Sequence, residues 1–120
     1  MKALFLAIVF VHALIHMLGF VKAFELGEIK ALTLPISKPF GLIWLLGCIL
    51  LLTYGVLVVV NGKYAWIVGL LAVVVSQFLV ISFWGDAKFG TIPNVIILIA
   101  SIFSMGNYAF ASLTEREISE

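Results

Sequence analysis

Four long stretches of apolar residues alternate with short polar segments along the chain. They cover about residues 3–24, 40–60, 64–84 and 92–110. A helix needs about 20 apolar residues to cross roughly 30 Å of hydrocarbon, and each stretch is too long and too uniformly apolar for an alternating barrel strand. The pattern predicts an all-α integral membrane four-helix bundle, a single transmembrane domain over residues 1–120.

The links between these stretches predict how the helices are connected. The tight turn at 61–63 predicts that the second and third helices form an antiparallel hairpin. Residues 85–91 form another short link. The long link, 25–39, mixes charged residues with leucines, which suits a segment lying in the membrane interface. Four crossings place both ends of the chain on one side, and Lys and Arg are divided too evenly to fix the orientation.

Composition supports the same class and narrows the partners. Hydrophobic residues make up 64% of the chain and charged residues 11%, with a net charge of +1. This excludes a soluble domain and gives no sign of a nucleic-acid partner. Lys2 followed by apolar residues resembles a signal peptide, but two histidines inside the stretch favour a retained helix. We expect a multi-pass protein of a bacterial inner membrane, with the lipid bilayer as its main partner.

Polar side chains inside the apolar stretches are informative, because unpaired polar groups in hydrocarbon cost several kcal/mol. They are His12 and His16 on the first helix, Ser76 and Gln77 on the third, and Asn94, Ser101, Ser104 and Tyr108 on the fourth. Spacings of four and seven keep the histidines on one face and Asn94, Ser101 and Tyr108 on one seam. The second helix offers only Thr53 and Tyr54, so we expect it at the periphery.

Depth in the bilayer groups the polar residues into layers. Counting 1.5 Å per residue from the side of the long link places His16 about 12 Å deep, with Gln77 and Ser101 at about 11 Å and 14 Å. His12 and Ser104 share a level at about 18 Å. We therefore expect the first, third and fourth helices to meet, with His16 within direct or one-water reach of Gln77 or Ser101.

Two charged or polar residues, Asp86 and Asn94, lie at the mouth of this layer. The candidate ligand-binding residues are thus His12, His16, Gln77, Asp86, Asn94, Ser101 and Ser104. The competing interpretation is that the uncharged polar residues only join helices, at about 0.6 kcal/mol per contact. In that view Asp86 and Lys88 are a solvated pair in a turn.

The histidine pair limits the possible chemistry. A neutral imidazole that binds a quinone or a lipid, or relays a proton, needs no further ligand. Two histidines four residues apart can also chelate a metal, but the zinc-protease motif adds a glutamate base and a third ligand. No carboxylate shares the depth of Ser76 or Ser104, which disfavours nucleophilic catalysis. No cofactor is predicted, and haem or a divalent metal at His12 and His16 is the alternative.

Several short motifs resemble a known family. They are His12-x-x-x-His16-Met17-x-Gly19-Phe20-x-Lys22, Ser76-Gln77 and Trp84-x-Asp86-Ala87-Lys88-x-Gly90-Thr91-x-x-Asn94. In layout the chain is similar to DoxX-like membrane proteins and resembles uncharacterised bacterial four-helix proteins over nearly its whole length. The resemblance implies a four-helix membrane fold, and some DoxX relatives are quinone-linked membrane subunits.

Two functions follow from these patterns. The first is a binding or proton-relay protein with an intramembrane pocket for a quinone or a lipid. The second is a non-catalytic accessory subunit of a larger membrane complex, or a homo-oligomer, held by its small-residue stripes. A redox enzyme acting alone is disfavoured, because no sequence motif holds a cofactor. The charged tail, 114–120, is expected to be exposed and dispensable.

Overall fold

The computed structural model describes residues 2–119, without the side chains at 111, 112 and 114–119. Four long helices account for most of this range, and no strand occurs within it. The elements are α1 (Lys2–Ala23), α2 (Lys38–Val59), α3 (Ala65–Ser82), the single turn α4 (Trp84–Ala87), a 3₁₀ turn (Lys88–Gly90) and α5 (Thr91–Ser119). The four-helix fold predicted from the apolar stretches is confirmed.

The helices run alternately up and down. At one end of the bundle, Lys2 donates a hydrogen bond to Asn61 at 3.0 Å, which joins the start of α1 to the α2–α3 turn. Lys63 lies over the Tyr108 ring of α5, 5.5 Å from its centroid, at the same end. The backbone of Asn61 is left-handed, with φ of 55°, a conformation that asparagine tolerates better than most residues. The predicted hairpin and the shared side of the outer helix ends are therefore confirmed.

Helix α2 is a central element of the bundle. It packs along α1 on one side and along α3 on the other, and α5 packs chiefly on α3. The expectation that this helix lies at the periphery is wrong. Its buried residues are mostly glycines and apolar side chains, which give no polar pattern in the sequence: Gly41, Trp44, Gly47, Cys48, Leu51, Tyr54 and Gly55.

Glycines bring α1 and α2 close together. A Cβ atom at Gly47 would lie 2.8 Å from Cδ2 of His16, and one at Gly55 would lie 2.7 Å from the Phe10 ring. On α1, the backbone of Gly19 faces the Trp44 ring in the same way. Such small residues let helices pack by van der Waals contact in a membrane.

The α3–α5 interface follows the predicted stripes. Gly69 and Ala72 of α3 are buried, and a side chain at Gly69 would collide with Ser101. On α5, Asn94 and Ser101 are buried together with Ile97 between them. The seven-residue seam therefore faces a partner helix, as predicted.

Within the described residues, four helical segments are long and apolar enough to cross a membrane: Lys2–Ala23, Lys38–Val59, Ala65–Ser82 and Trp84–Phe110. Many large apolar side chains on their outer faces are exposed, as expected where lipid is the solvent. The chain is thus a multi-pass helical membrane protein. Helix α5 continues beyond the predicted boundary at 110, and the predicted exposure of the 114–120 tail lies outside the described side chains.

Candidate functional site

His12 joins three helices near the middle of the bundle. Its Nε2 atom lies 2.8 Å from Oδ1 of Asn94 on α5 and 3.2 Å from Oγ of Ser76 on α3. All three side chains are buried. Because an amide oxygen only accepts, Nε2 of His12 carries the proton and donates it to Asn94. In the neutral ring, the other nitrogen, Nδ1, is then an acceptor.

The polar contacts continue from Asn94 across the α3–α5 interface. Its amide donates to Oε1 of Gln77 at 3.0 Å, and Gln77 in turn donates to Oγ1 of Thr91 at 3.3 Å. These hydrogen bonds form a chain from His12 through Asn94 and Gln77 to Thr91. Each bond restricts the orientation of both partners, so the chain holds the His12 ring in one orientation. The predicted meeting of the first, third and fourth helices is confirmed at His12.

His16 makes a different set of contacts from those predicted. Its Nδ1 donates to the backbone oxygen of His12 at 2.9 Å, and the Cδ2 edge of its ring faces Gly47 of α2. The ring lies edge-on to His12, with centroids 4.6 Å apart, and tilted against Trp44 at 5.4 Å. Within the described residues, His16 has no hydrogen bond to Gln77 or Ser101.

The polar layers predicted from depth do not form, because the end of α1 and the start of α5 lie at different heights in the bundle. The link from Trp84 to Gly90 coils into short helical turns that lie beside α1, and a Cβ at Gly90 would lie 3.5 Å from Cε1 of His12. His12 is 11 residues, or about 17 Å, from the end of α1. Asn94 is only three residues into α5, about 5 Å. The two residues nevertheless bond, so α1 extends well past the start of α5.

The two remaining candidate residues lie apart from the histidines. Ser101 is buried beside Gly69 and the Tyr54 ring, about two helical turns along α5 from Asn94. Ser104 is exposed on the outer face of α5. The spacing that predicted a shared seam correctly paired Ser101 with α3, but it did not bring Ser101 or Ser104 to the pocket.

A pocket of about 340 Å³ lies next to the two histidines. Its wall includes the rings of Trp44 and Phe89 and the aliphatic side chains of Leu79 and Val80, and Asp86 lies at its rim. A volume of this size is within the range of small-molecule sites, which are mostly apolar with a few placed polar groups.

A loop segment beside this pocket is held by side-chain hydrogen bonds from two directions. Asp86 accepts hydrogen bonds from the backbone N–H of Thr33 at 2.8 Å and of Leu34 at 2.7 Å, and from the Thr33 hydroxyl at 2.6 Å. From the other side, Lys22 donates to the backbone oxygens of Leu32 and Leu34. Leu32 itself lines the pocket. Asp86 is therefore not one half of a solvated turn pair, and Lys88 instead lies over the Phe89 ring.

Several residues of the site carried no usable signal in the sequence. From the sequence, Trp44 is interpreted as an aromatic residue at the membrane interface, and Leu32 and Thr33 as residues of the long link. Ser76 was visible as a polar residue on α3, but its depth did not predict its pairing with His12. Lys22 falls in the first motif, and nothing in the spacing shows that it binds the backbone of the loop.

Among the described residues, no group of three or more His, Cys, Asp or Glu side chains lies close enough to hold a metal ion. The fold and the site define a multi-pass helical membrane protein with a buried, hydrogen-bonded histidine beside an apolar pocket. Comparison with models of known protein families, with curated proteins and with solved structures gives no match to this chain.

Proposed function

We propose that this protein binds the head of a small hydrophobic molecule, a quinone or a lipid, in the pocket beside His12 and His16. The observation that carries the proposal is the position of His12. Its ring is fixed by Asn94 and Ser76 on one edge, and it lines a pocket whose wall is mostly apolar. A fixed polar group on an apolar wall is the arrangement by which ligand sites orient a bound molecule.

The chemistry of the ring defines what it can hold. With Nε2 donating to Asn94, Nδ1 accepts a hydrogen bond from a hydroxyl group. The same nitrogen can take up a proton and return it, which is how the site would relay protons.

The second candidate function is a non-catalytic accessory subunit. The last membrane-crossing segment, Trp84–Phe110, supports it, because only 17% of its most apolar part is buried, against 28% to 39% for the other three segments. An apolar helix face can pack on a partner subunit or on a second copy as well as on lipid. Native electrophoresis of mildly solubilised membranes tests this candidate, and a protein that migrates only as a monomer would rule it out.

We also propose a location in a bacterial inner membrane and a distant relation to DoxX-like proteins. The helical bundle supports the location, since bacterial outer-membrane proteins are typically barrels. The four-helix layout supports the relation, and the motif residues His12, His16, Asp86 and Gly90 all line the pocket. Haem or a divalent metal at the histidines remains the alternative to an organic ligand, and an optical spectrum with metal analysis of the purified protein tests it.

Ligand binding can be measured through the tryptophan on the pocket wall. In a Trp66→Phe/Trp84→Phe variant, Trp44 is the fluorophore, and a tailless benzoquinone should quench it with saturation. A glycerol monoester should compete if the site takes lipids. Benzoquinone carries no hydroxyl, so the bond to Nδ1 is tested with its reduced form, hydroquinone. His12→Leu removes this hydrogen bond and should weaken the competition by hydroquinone about tenfold. Hydroquinone that competes equally well in His12→Leu would contradict the proposed role of His12.

A pair of matched substitutions guards against a misfolded variant. Ala87 lines the pocket, so Ala87→Phe should fill part of it and weaken binding. Ala31 is exposed in the loop and lies outside the pocket wall, so Ala31→Phe should bind normally. Equal binding by both variants, with unchanged melting temperatures, would show that the quinone binds elsewhere.

A further inference from the structure

A second cavity lies between α1 and α5, on the outer surface of the bundle. It encloses about 350 Å³, and its wall is apolar apart from His12. Ala7 and Val11 contribute the α1 side, and Ile92 and Ile96 contribute the α5 side. The cavity exists because α1 packs on α2 and α5 packs on α3, while α1 and α5 contact each other little. We call it the α1/α5 groove.

The groove adjoins the pocket. The two cavities share His12, Ile15 and Pro93 in their walls, so His12 lies between them. Along α1 the groove extends from Ala7 to Ile15, about 12 Å. An apolar surface cavity and the pocket therefore meet at His12.

We infer that the α1/α5 groove holds the apolar tail of a quinone whose ring occupies the pocket; this rests on the proposed binding function and names its ligand class. Four flat rings line the pocket, those of His12, His16, Trp44 and Phe89, which suits a planar head more than a flexible one. The groove adjoins the pocket at His12 and is otherwise wholly apolar, which suits a linear hydrocarbon tail. The ligand then enters sideways from the bilayer.

The position of the tail can be measured by photo-crosslinking. The probe is a benzoquinone with a ten-carbon tail that ends in a diazirine, added to the protein in lipid nanodiscs. Labelled peptides should come from α1 near Ala7 and α5 near Ile96. Excess tailless benzoquinone should suppress this labelling, because it removes the anchoring head. Labelling of Val74, an exposed residue on α3, measures the background from bulk lipid and should not be suppressed.

Two alanines on one helix give matched variants. Ala7 lines the groove, whereas Ala3 is exposed one turn earlier and does not. Ala7→Phe should weaken binding of the tailed quinone about tenfold and leave the tailless quinone unchanged; Ala3→Phe should change neither. Both substitutions add the same ring to an exposed position, so a general effect on the fold would appear in both.

The outcomes separate this inference from the proposed function. Suppressible labelling in the groove supports the inference. Labelling spread evenly over α1, α3 and α5, with Trp44 still quenched by the tailless quinone, overturns the groove and keeps the pocket. No quenching by either quinone overturns both. A glycerol monoester with the same diazirine tail is the comparison probe. If it labels the groove, if excess tailless monoester suppresses that labelling, and if the quinone probe does not label the groove, then the ligand is a lipid and the quinone assignment is wrong.

Discussion

Asp86, which lines the pocket, binds Thr33 twice: one carboxylate oxygen accepts from its backbone N–H and the other from its hydroxyl. Three hydrogen bonds to one carboxylate, counting that from Leu34, favour its charged form and fix the loop beside the pocket. Asp86→Ala removes both acceptor oxygens, whereas Asn could keep the bonds, because its amide oxygen can accept from both N–H groups while its NH2 donates to the Thr33 hydroxyl. We expect faster amide hydrogen exchange at Thr33 and Leu34, because both lose protection.

Glu28 provides the matched control for this substitution. It is an exposed carboxylate in the same loop, so Glu28→Ala removes the same kind of group away from these hydrogen bonds. Its effect on exchange at Thr33 should be negligible. Equal exchange in Asp86→Ala and the unmodified protein would mean that Lys22 alone holds the segment.

The contact between His12 and Asn94 should be measurable as a coupling energy. His12→Leu leaves buried polar groups on Ser76 and Asn94 short of a partner, which should cost about 1–3 kcal/mol in the free energy of unfolding. A double-mutant cycle with Asn94→Leu should give a coupling of about 0.6–1.7 kcal/mol, the range of polar contacts in membrane bundles. Unfolding in mixed detergent gives these values.

The corresponding control pairs His12 with a distant residue. Thr53 donates to the backbone oxygen of Ile49 on its own helix and is exposed. The effects of His12→Leu and Thr53→Val should add, because the residues share no partner. A cycle for His12 and Asn94 that also proved additive would contradict the contact.

Close packing of α1 on α2 predicts a large cost for the smallest possible substitution. In Gly47→Ala the new methyl group would lie 2.8 Å from the His16 ring, so the helices must separate. We expect a loss of about 1–3 kcal/mol in unfolding free energy. Gly106, also helical, has open space at this position, so Gly106→Ala should be neutral or stabilising by up to about 1 kcal/mol. Equal stability of the two variants would refute the packing.

The up-and-down arrangement places the turn after α2 and the link before α5 on opposite sides of the membrane. The background variant is Cys48→Ala, which removes the buried native thiol. In this background, the single substitutions Gly62→Cys and Lys88→Cys should react with a membrane-impermeant maleimide from opposite faces. Inside-out and right-side-out vesicles distinguish the faces. Reaction of both from one face would refute four crossings.

The sequence predicted the helices well because each one is defined by a local property, about 20 consecutive apolar residues. It predicted the cluster of His12 with α3 and α5 for a similar reason, since a buried polar group requires a partner. The central position of α2 was not predicted, because helices in lipid also associate through glycines, which a pattern of polar residues does not reveal. The contacts of Gly47 and Gly55 require knowledge of which side chain lies opposite.

The pairing of individual site residues could not be predicted, because it depends on how far each helix slides along its neighbour. Counting from the helix ends matched His16 with Gln77, whereas the stagger of α1 matches His12 with Asn94. The hydrogen bonds between Asp86 and the loop could not be predicted from local sequence patterns either. Thr33 and Asp86 are 53 residues apart, and nothing in either segment specifies the other.

The bonds of His12 also constrain how the protein is made. Its partners Ser76 and Asn94 follow it by 64 and 82 residues. At about 5–20 residues per second, a ribosome completes Asn94 roughly 4–16 s after His12. During this interval the first helix carries a polar ring into the membrane before its partners exist. Biogenesis therefore includes a stage with an unpaired histidine, and nascent chains arrested before Ser76 should remain beside the insertion machinery longer than those arrested after Asn94.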